Sequence, residues 1–331
     1  MIDPAPAPRG LRRREAPLRV VALGGGHGLA ATLRALRLVT HDVTAVVTVA
    51  DDGGSSGRLR QELGVLPPGD LRMALSALCD ESDWGHTWSE VLQHRFSSSG
   101  PLDGHALGNL LIVSLWELLG DEVAGLDWVG KLLGADGRVL PMAAVPLEIQ
   151  ADVTLPNGQH ALVRGQSRVA VTSGKVERVR LVPDDPPACP EAVEAIRRAD
   201  CVVLGPGSWF TSVMPHLLVP EIAEALAEAN ITLTLNLSPQ KGETDGYTAA
   251  DHLRSLHSYA PTLNLETVIA DPTAIEDLDE LRAHTRDIGA RLLLRQVGQG
   301  DGGFYHDPLR LAAAYRDAFD RYLGDVGERS G

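Results

Sequence analysis

Short apolar runs, many of them β-branched, constrain this chain most: LRVVALGG (18–25), DVTAVVTVA (42–50), CVVLG (201–205), ITLTLNL (231–237), TVIAD (267–271) and RLLLRQV (291–297). Stretches of helical character separate them, at 29–38 (Leu29, Leu33 and Leu36 at helical spacing), 69–78, 107–119, 191–199, 212–229, 248–258, 277–289 and 308–323. Strands buried on both faces between crossover helices read this way, so the pattern predicts an α/β fold with one doubly wound, mostly parallel, Rossmann-like sheet. Residues 138–183 break the rhythm. There LEIQADVTL, HALVRGQSRVAV and KVERVRLV alternate with period two between the turns Pro156-Asn157-Gly158 and Thr172-Ser173-Gly174-Lys175. That alternation predicts a small antiparallel, β-rich insertion. The expected organisation is one nucleotide-binding domain from 18–137 and 184–323, the insertion at 138–183, and flexible tails at 1–17 and 324–331.

The 331 residues are 44% hydrophobic and carry a formal net charge of −14. An acidic surface argues against nucleic acid as a partner, because phosphate neutralisation needs a basic face. The one basic cluster, Arg9, Arg12, Arg13 and Arg14, lies among prolines and reads as a solvated tail. No run is long enough to span a bilayer, and the first residues lack the apolar stretch of a signal peptide, so no membrane partner and a cytoplasmic location are expected. Cys79, Cys189 and Cys201 form no Cys-x-x-Cys pair and indicate neither a disulfide framework nor structural zinc.

In open parallel sheets, ligands bind beyond the carboxyl ends of the strands. Three loops there stand out. Gly24-Gly25-Gly26-His27-Gly28 follows a strand and opens a helix, with Gly26-x-Gly28-x-x-Ala31 matching the dinucleotide fingerprint. Missing side chains admit a phosphate to the backbone, and free N–H groups attract it; no Gly-Lys-Ser/Thr follows, so this is not a Walker loop. Asp51-Asp52-Gly53-Gly54-Ser55-Ser56 ends the second strand. Its acids could accept ribose hydroxyls, hold a magnesium ion that bridges phosphates, or satisfy the glycine turn. Gly205-Pro206-Gly207-Ser208 with Thr211 has the composition of a second anion site, or of a helix cap.

Supporting residues are Asp70 and Arg72 in PGDLR, and His105 and Asn109 in HALGN. Arg72 suits a bidentate phosphate contact and Asn109 a base or sugar edge. Gly242-Glu243-Thr244-Asp245 follows a strand and is positioned to complete the same cleft. No Gly-x-Ser-x-Gly elbow or Cys-His arrangement offers a nucleophile.

Taken in order, GGGHGL, VTVADDGGSSGRLRQELGVLPPGDLR, GHALGNLL, GRVLP, GPGSWFTSVMPHLLVPEI and KGETDGYTAADHL resemble the gluconeogenesis factor family, within the 2-phospho-L-lactate transferase-like superfamily. The resemblance runs over nearly all of 18–322. It implies a cytoplasmic regulator that binds uridine-diphosphate N-acetylglucosamine or a similar nucleotide, needed for cell shape and wall-precursor supply during gluconeogenic growth. It implies no required cofactor and leaves the protein partner unnamed and a homodimer open. The related transferases use magnesium at acids that Asp51 and Asp52 match. They carry Ser-Pro-Asp-Leu-Asp where this chain has GRLRQELGVLPPGDLR, so a magnesium-dependent transferase is the alternative reading. Many members have threonine in place of His27, and relatives place a basic sugar-nucleotide contact near Tyr305-His306-Asp307.

Overall fold

The computed structural model describes residues 17–300 and 305–323. The arginine cluster at 9–14 and the segment 324–331 lie outside the described residues. The strands are β1 (Arg19–Gly24), β2 (Asp42–Val47), β3 (Arg138–Pro141), β4 (Glu148–Thr154), β5 (His160–Arg164), β6 (Lys175–Val182), β7 (Cys201–Leu204), β8 (Ile231–Thr234), β9 (Leu265–Ala270) and β10 (Arg291–Leu294). Seven of them form one parallel sheet in the order β10-β9-β8-β7-β1-β2-β3. The remaining three form an antiparallel sheet in the order β5-β4-β6.

The helices are α1 (Gly26–Leu36), α2 (Gly54–Leu63), α3 (Gly69–Leu78), α4 (Asp83–Gln93), α5 (Leu107–Leu119), α6 (Glu122–Leu133), α7 (Gln166–Val169), α8 (Pro190–Arg198), α9 (Pro220–Ala227), α10 (Ala249–Tyr259), α11 (Leu278–Asp287) and α12 (Pro308–Leu323). From β1 the chain adds β2 and β3 on one side, returns through the small sheet, and adds β7 to β10 on the other. Parallel crossovers are right-handed, so reversing direction moves the crossover helices to the opposite face. Accordingly α1 packs with α3 and α12, whereas α8 packs with α9 and against β1 and β3. Covering both faces explains why Val20, Val21, Ala22 and Leu23 are all buried without alternation. Each valine or leucine so buried stabilises the fold by roughly 1.5–3 kcal/mol.

Three local features depart from the sequence pattern. The first strand of 138–183 is not antiparallel: Arg138–Pro141 pairs parallel with β2, and the alternating run begins only at Glu148. The expected helix over 212–229 is broken into a wide turn (Trp209–Val213), a tight 3₁₀ turn (Met214–Leu218) and α9. Pro215 and Pro220, which lack the N–H a continuous helix needs, account for the breaks. Helices α4 and α6 are announced less by periodicity than by their caps, Ser82 accepting from Gly85 N–H at 3.1 Å and Asp121 from Ala124 N–H at 2.8 Å. No helix among the described residues is long and apolar enough to cross a membrane.

The last helix is tied to the sheet by a buried hydroxyl chain. The Tyr315 hydroxyl lies 3.1 Å from Thr234 Oγ1 and 3.4 Å from Thr32 Oγ1, and Thr32 donates to the Gly205 carbonyl at 3.2 Å. Burial pushes the phenol up to about 12, so it stays protonated. Tyr315→Phe leaves Thr234 without this partner and is expected to cost about 1–2 kcal/mol. Urea unfolding should show a lower midpoint at unchanged slope.

Candidate functional site

Strand order reverses between β1 and β7, and the loops leaving these two strands meet there. The approach is as close as backbone allows. A β-carbon at Gly28 would lie 2.2 Å from the Pro206 carbonyl oxygen and 2.7 Å from Gly207 Cα, so no other residue fits. Gly26, at φ +57°, turns the chain into α1 in a conformation that side chains disfavour. Beyond the paired loops opens a cavity of about 820 Å³. Gly25, Gly26, His27, Gly28, Asp70, Gly207 and Ser208 all line it, so residues far apart in sequence share one crevice.

The other residues singled out in the sequence lie elsewhere. Gly24 is the last residue of β1 and Gly205 sits behind the β7 loop, its carbonyl held by Thr32. Thr211 Oγ1 donates to Glu243 Oε1 at 2.5 Å, and the Phe210 N–H donates to the same carboxylate at 3.3 Å. The hydroxyl and amide expected to meet an anion there are thus engaged by a buried acid. Burial raises the Glu243 pKa. Ser55, His105 and Asn109 form a separate buried cluster, with His105 Nδ1 and Asn109 Nδ2 each 3.0 Å from Ser55 Oγ. Burial lowers the His105 pKa and favours neutral imidazole. Arg72 is buried, donates to Gln93 Oε1, and is lowered to about 10 by burial and then by Arg95.

The two consecutive acids separate, as successive side chains on extended backbone do. Asp51 Oδ1 accepts from the Gly53 N–H at 2.9 Å. Asp52 Oδ1 accepts from the Ser167 N–H at 2.8 Å and so binds the small sheet rather than pairing with Asp51. The carboxylate that Asp51 faces electrostatically is Asp70, in the first turn of α3. A β-carbon at Gly69 would meet Ser56 Oγ at 2.3 Å and Asp51 Oδ2 at 2.8 Å, which places Ser56 and Asp51 at the foot of that helix, while Gly53 is held by Asp51. Asp70 accepts from Thr48 Oγ1 at 3.1 Å and from the Gly26 N–H, capping α1 from the neighbouring helix α3. Burial, then Asp51, raises its pKa to about 6. Among the described residues no group of three or more His, Cys, Asp or Glu side chains is placed to hold a metal.

Sequence reasoning missed several wall residues. Asn236 grips the β7 loop at Gly207, its Oδ1 accepting from Gly207 N–H and its Nδ2 donating to Gly207 O, each at 2.9 Å. Gln240 Oε1 accepts from the Trp209 N–H at 3.0 Å. Arg34 and Lys241 stand exposed on the rim, with no salt bridge among the described residues. Arg34 was legible in principle, two helical turns from His27; Asn236 and Gln240 follow a strand as ordinary turn residues and carry no signal.

Residues 20–299 match the model of the family described as 2-phospho-L-lactate transferase CofD. The chain is 51% identical over 313 residues to the protein named "Putative gluconeogenesis factor" of Mycobacterium tuberculosis strain H37Rv, covering 92% of this chain and 91% of that one. It is 39% identical over 261 residues to the "Gluconeogenesis factor" of Bacillus subtilis strain 168, covering 78% and 80% respectively. It also resembles the crystal structure of a UPF0052 family protein from Bacillus halodurans, with a TM-score of 0.80 and 34% identity over 91% of this chain and 99% of that one.

Asp70 makes stability depend on pH in a definite direction. Its folded pKa of about 6 exceeds the ordinary 3.8, so the native state holds the proton more tightly and loses stability as pH rises from 4 through 6. The two-unit gap corresponds to about 3 kcal/mol. Asp70→Asn is expected to be the more stable protein at pH 7.5 and to lose that part of the pH dependence, read by urea unfolding of both proteins at pH 4.5 and 7.5.

Proposed function

The chain belongs to the CofD, 2-phospho-L-lactate transferase family, and from that premise we propose that it is a nucleotide-sugar-binding regulator whose ligand is uridine-diphosphate N-acetylglucosamine. The observation that carries this reading is a cavity of about 820 Å³ walled by the glycine loops after β1 and β7. That volume suits a nucleotide-sized ligand. The pyrophosphate lies against the Gly25–Gly28 segment, where the first turn of α1 has no side-chain cap of its own, with Arg34 and Lys241 neutralising it from the rim. The role is cytoplasmic, in cell shape and wall-precursor supply under gluconeogenic growth, with occupancy of the site altering contact with a protein partner. A regulatory role is supported by the absence of a nucleophile-base pair along the sequence.

Asp70 gives this reading an electrostatic condition. Its carboxylate already occupies the N-terminal end of α1, so a pyrophosphate bound there meets a negative charge unless the acid is protonated or screened. Magnesium fits this position by the chemistry of the donors. Asp51 and Asp70 would hold it, oxygen ligands for a hard cation, with the hydroxyls of Ser56 and Thr48 alongside. Asp52 would not take part, being committed to Ser167. When bound, the ion would screen the carboxylate pair and polarise phosphate oxygens.

The Asp51–Asp70 pair also favours a second reading, a magnesium-dependent transferase acting on a nucleotide-activated phosphoryl donor. Calorimetric titration with uridine-diphosphate N-acetylglucosamine tests the first reading. Binding is expected, and His27→Glu, at an exposed position in the glycine loop, should weaken it at least tenfold by placing an anion beside the phosphates. No heat of binding to the wild-type chain removes the proposal. Mass spectrometry after incubation with magnesium and candidate donors is expected to show no transfer product; a product would replace the regulator with the transferase.

A further inference from the structure

One wall of the cavity comes from the small sheet rather than from the parallel one. Gln166, the first residue of α7 between β5 and β6, lines the cavity beside the glycine loop. Its backbone is held on several sides. The preceding Gly165 N–H donates to Ile149 O at 2.8 Å, the following Ser167 N–H to Asp52 Oδ1 at 2.8 Å, and Gln166 O accepts from Ala170 N–H at 3.0 Å. A β-carbon at Gly165, φ +93°, would lie 2.0 Å from Asp52 Oδ2, so the latch tolerates no side chain there. The side chain, by contrast, is unfinished: Gln166 Oε1 is buried and has no hydrogen-bond partner among the described residues.

A buried amide oxygen without a donor costs free energy; seven buried side-chain atoms among the described residues lack a partner, and of their residues Gln166 lines the cavity. The terminal torsion of glutamine is broad, so the carboxamide can turn toward the cavity without moving the latched backbone. A primary carboxamide both accepts and donates, and its complement is another amide. Resting on the functional reading above, we infer that Gln166 is the specificity-determining residue that pairs with an amide of the bound ligand. Two parts of a uridine-diphosphate N-acetylhexosamine carry that chemistry, the acetamido group of the sugar and the imide edge of the base. Through Asp52 and Ser167 the same contact ties ligand recognition to the antiparallel sheet.

Calorimetry on the full chain with uridine-diphosphate N-acetylglucosamine and with uridine-diphosphate glucose, for wild type and Gln166→Met, tests the assignment. The variant keeps the length of the side chain and removes its amide. Its affinity for the N-acetylated ligand is expected to fall about tenfold. An unchanged affinity for the glucose ligand assigns the contact to the acetamido group, and an equal fall for both assigns it to the base. Affinities within twofold of wild type for both ligands overturn the inference while leaving the functional reading standing. Failure of the wild-type chain to bind either ligand sinks the functional reading and this inference with it. Thermal unfolding of the ligand-free variant separates recognition from support: Tm should be unchanged or higher, and a fall of more than about 5 °C identifies Gln166 as a structural strut and overturns the assignment.

Discussion

The contact between the Gly28 α-carbon and the Pro206 carbonyl is the constraint around which the site is arranged. Two halves of a parallel sheet, built on either side of β1, need a place where their loops meet, and this approach leaves no room for a side chain. Because the two loops touch, the amides opening α1 and the hydroxyls of Ser208 and Ser212 face one space. Asn236 holds the second loop against the first with a pair of hydrogen bonds, and Gln240 fixes the amide that follows. Close backbone contact and paired hydrogen bonds together hold the two loops in one arrangement.

Two buried carboxylates stand behind these loops, and they have different partners. Glu243 closes the helical turn after β7 by accepting from an amide and a hydroxyl, as a cap would. Asp70 also accepts from an amide and a hydroxyl, but Asp51 opposes its charge from nearby. Burial raises both acids; only Asp70 has a second carboxylate among the causes. Carboxylates crowded in this way recur at functional sites.

Much of this was legible in the residues. Uninterrupted apolar strands such as RVVALG announce burial on both faces, and a glycine-rich loop between strand and helix marks the carboxyl end where ligands sit. What could not be read is which way a side chain leaves the backbone. Asp51 and Asp52 look like a pair in sequence and face different neighbours in space, while Asp70, eighteen residues beyond Asp52, becomes the true companion of Asp51. Thr211 looked like a hydroxyl for phosphate until Glu243 claimed it, a contact across 32 residues that no local pattern encodes. Prolines 215 and 220 were visible, but the apolar content around them imitated one long helix.

The hydroxyl chain from Thr32 through Tyr315 to Thr234 joins residues made far apart in time. Three of the seven strands, β1 to β3, are complete once residue 141 has emerged, yet the walls at 206–208 and 236–241, and the wall residues Gln299, Tyr305, His306 and Pro308, are still unmade. Translation proceeds at roughly 5–20 residues per second, so the nascent chain spends many seconds as a partial scaffold with only one lip of its crevice. The Tyr315 hydroxyl, which braces the loop after β7 through Thr32 and Gly205, is added only after every strand of the parallel sheet has been made.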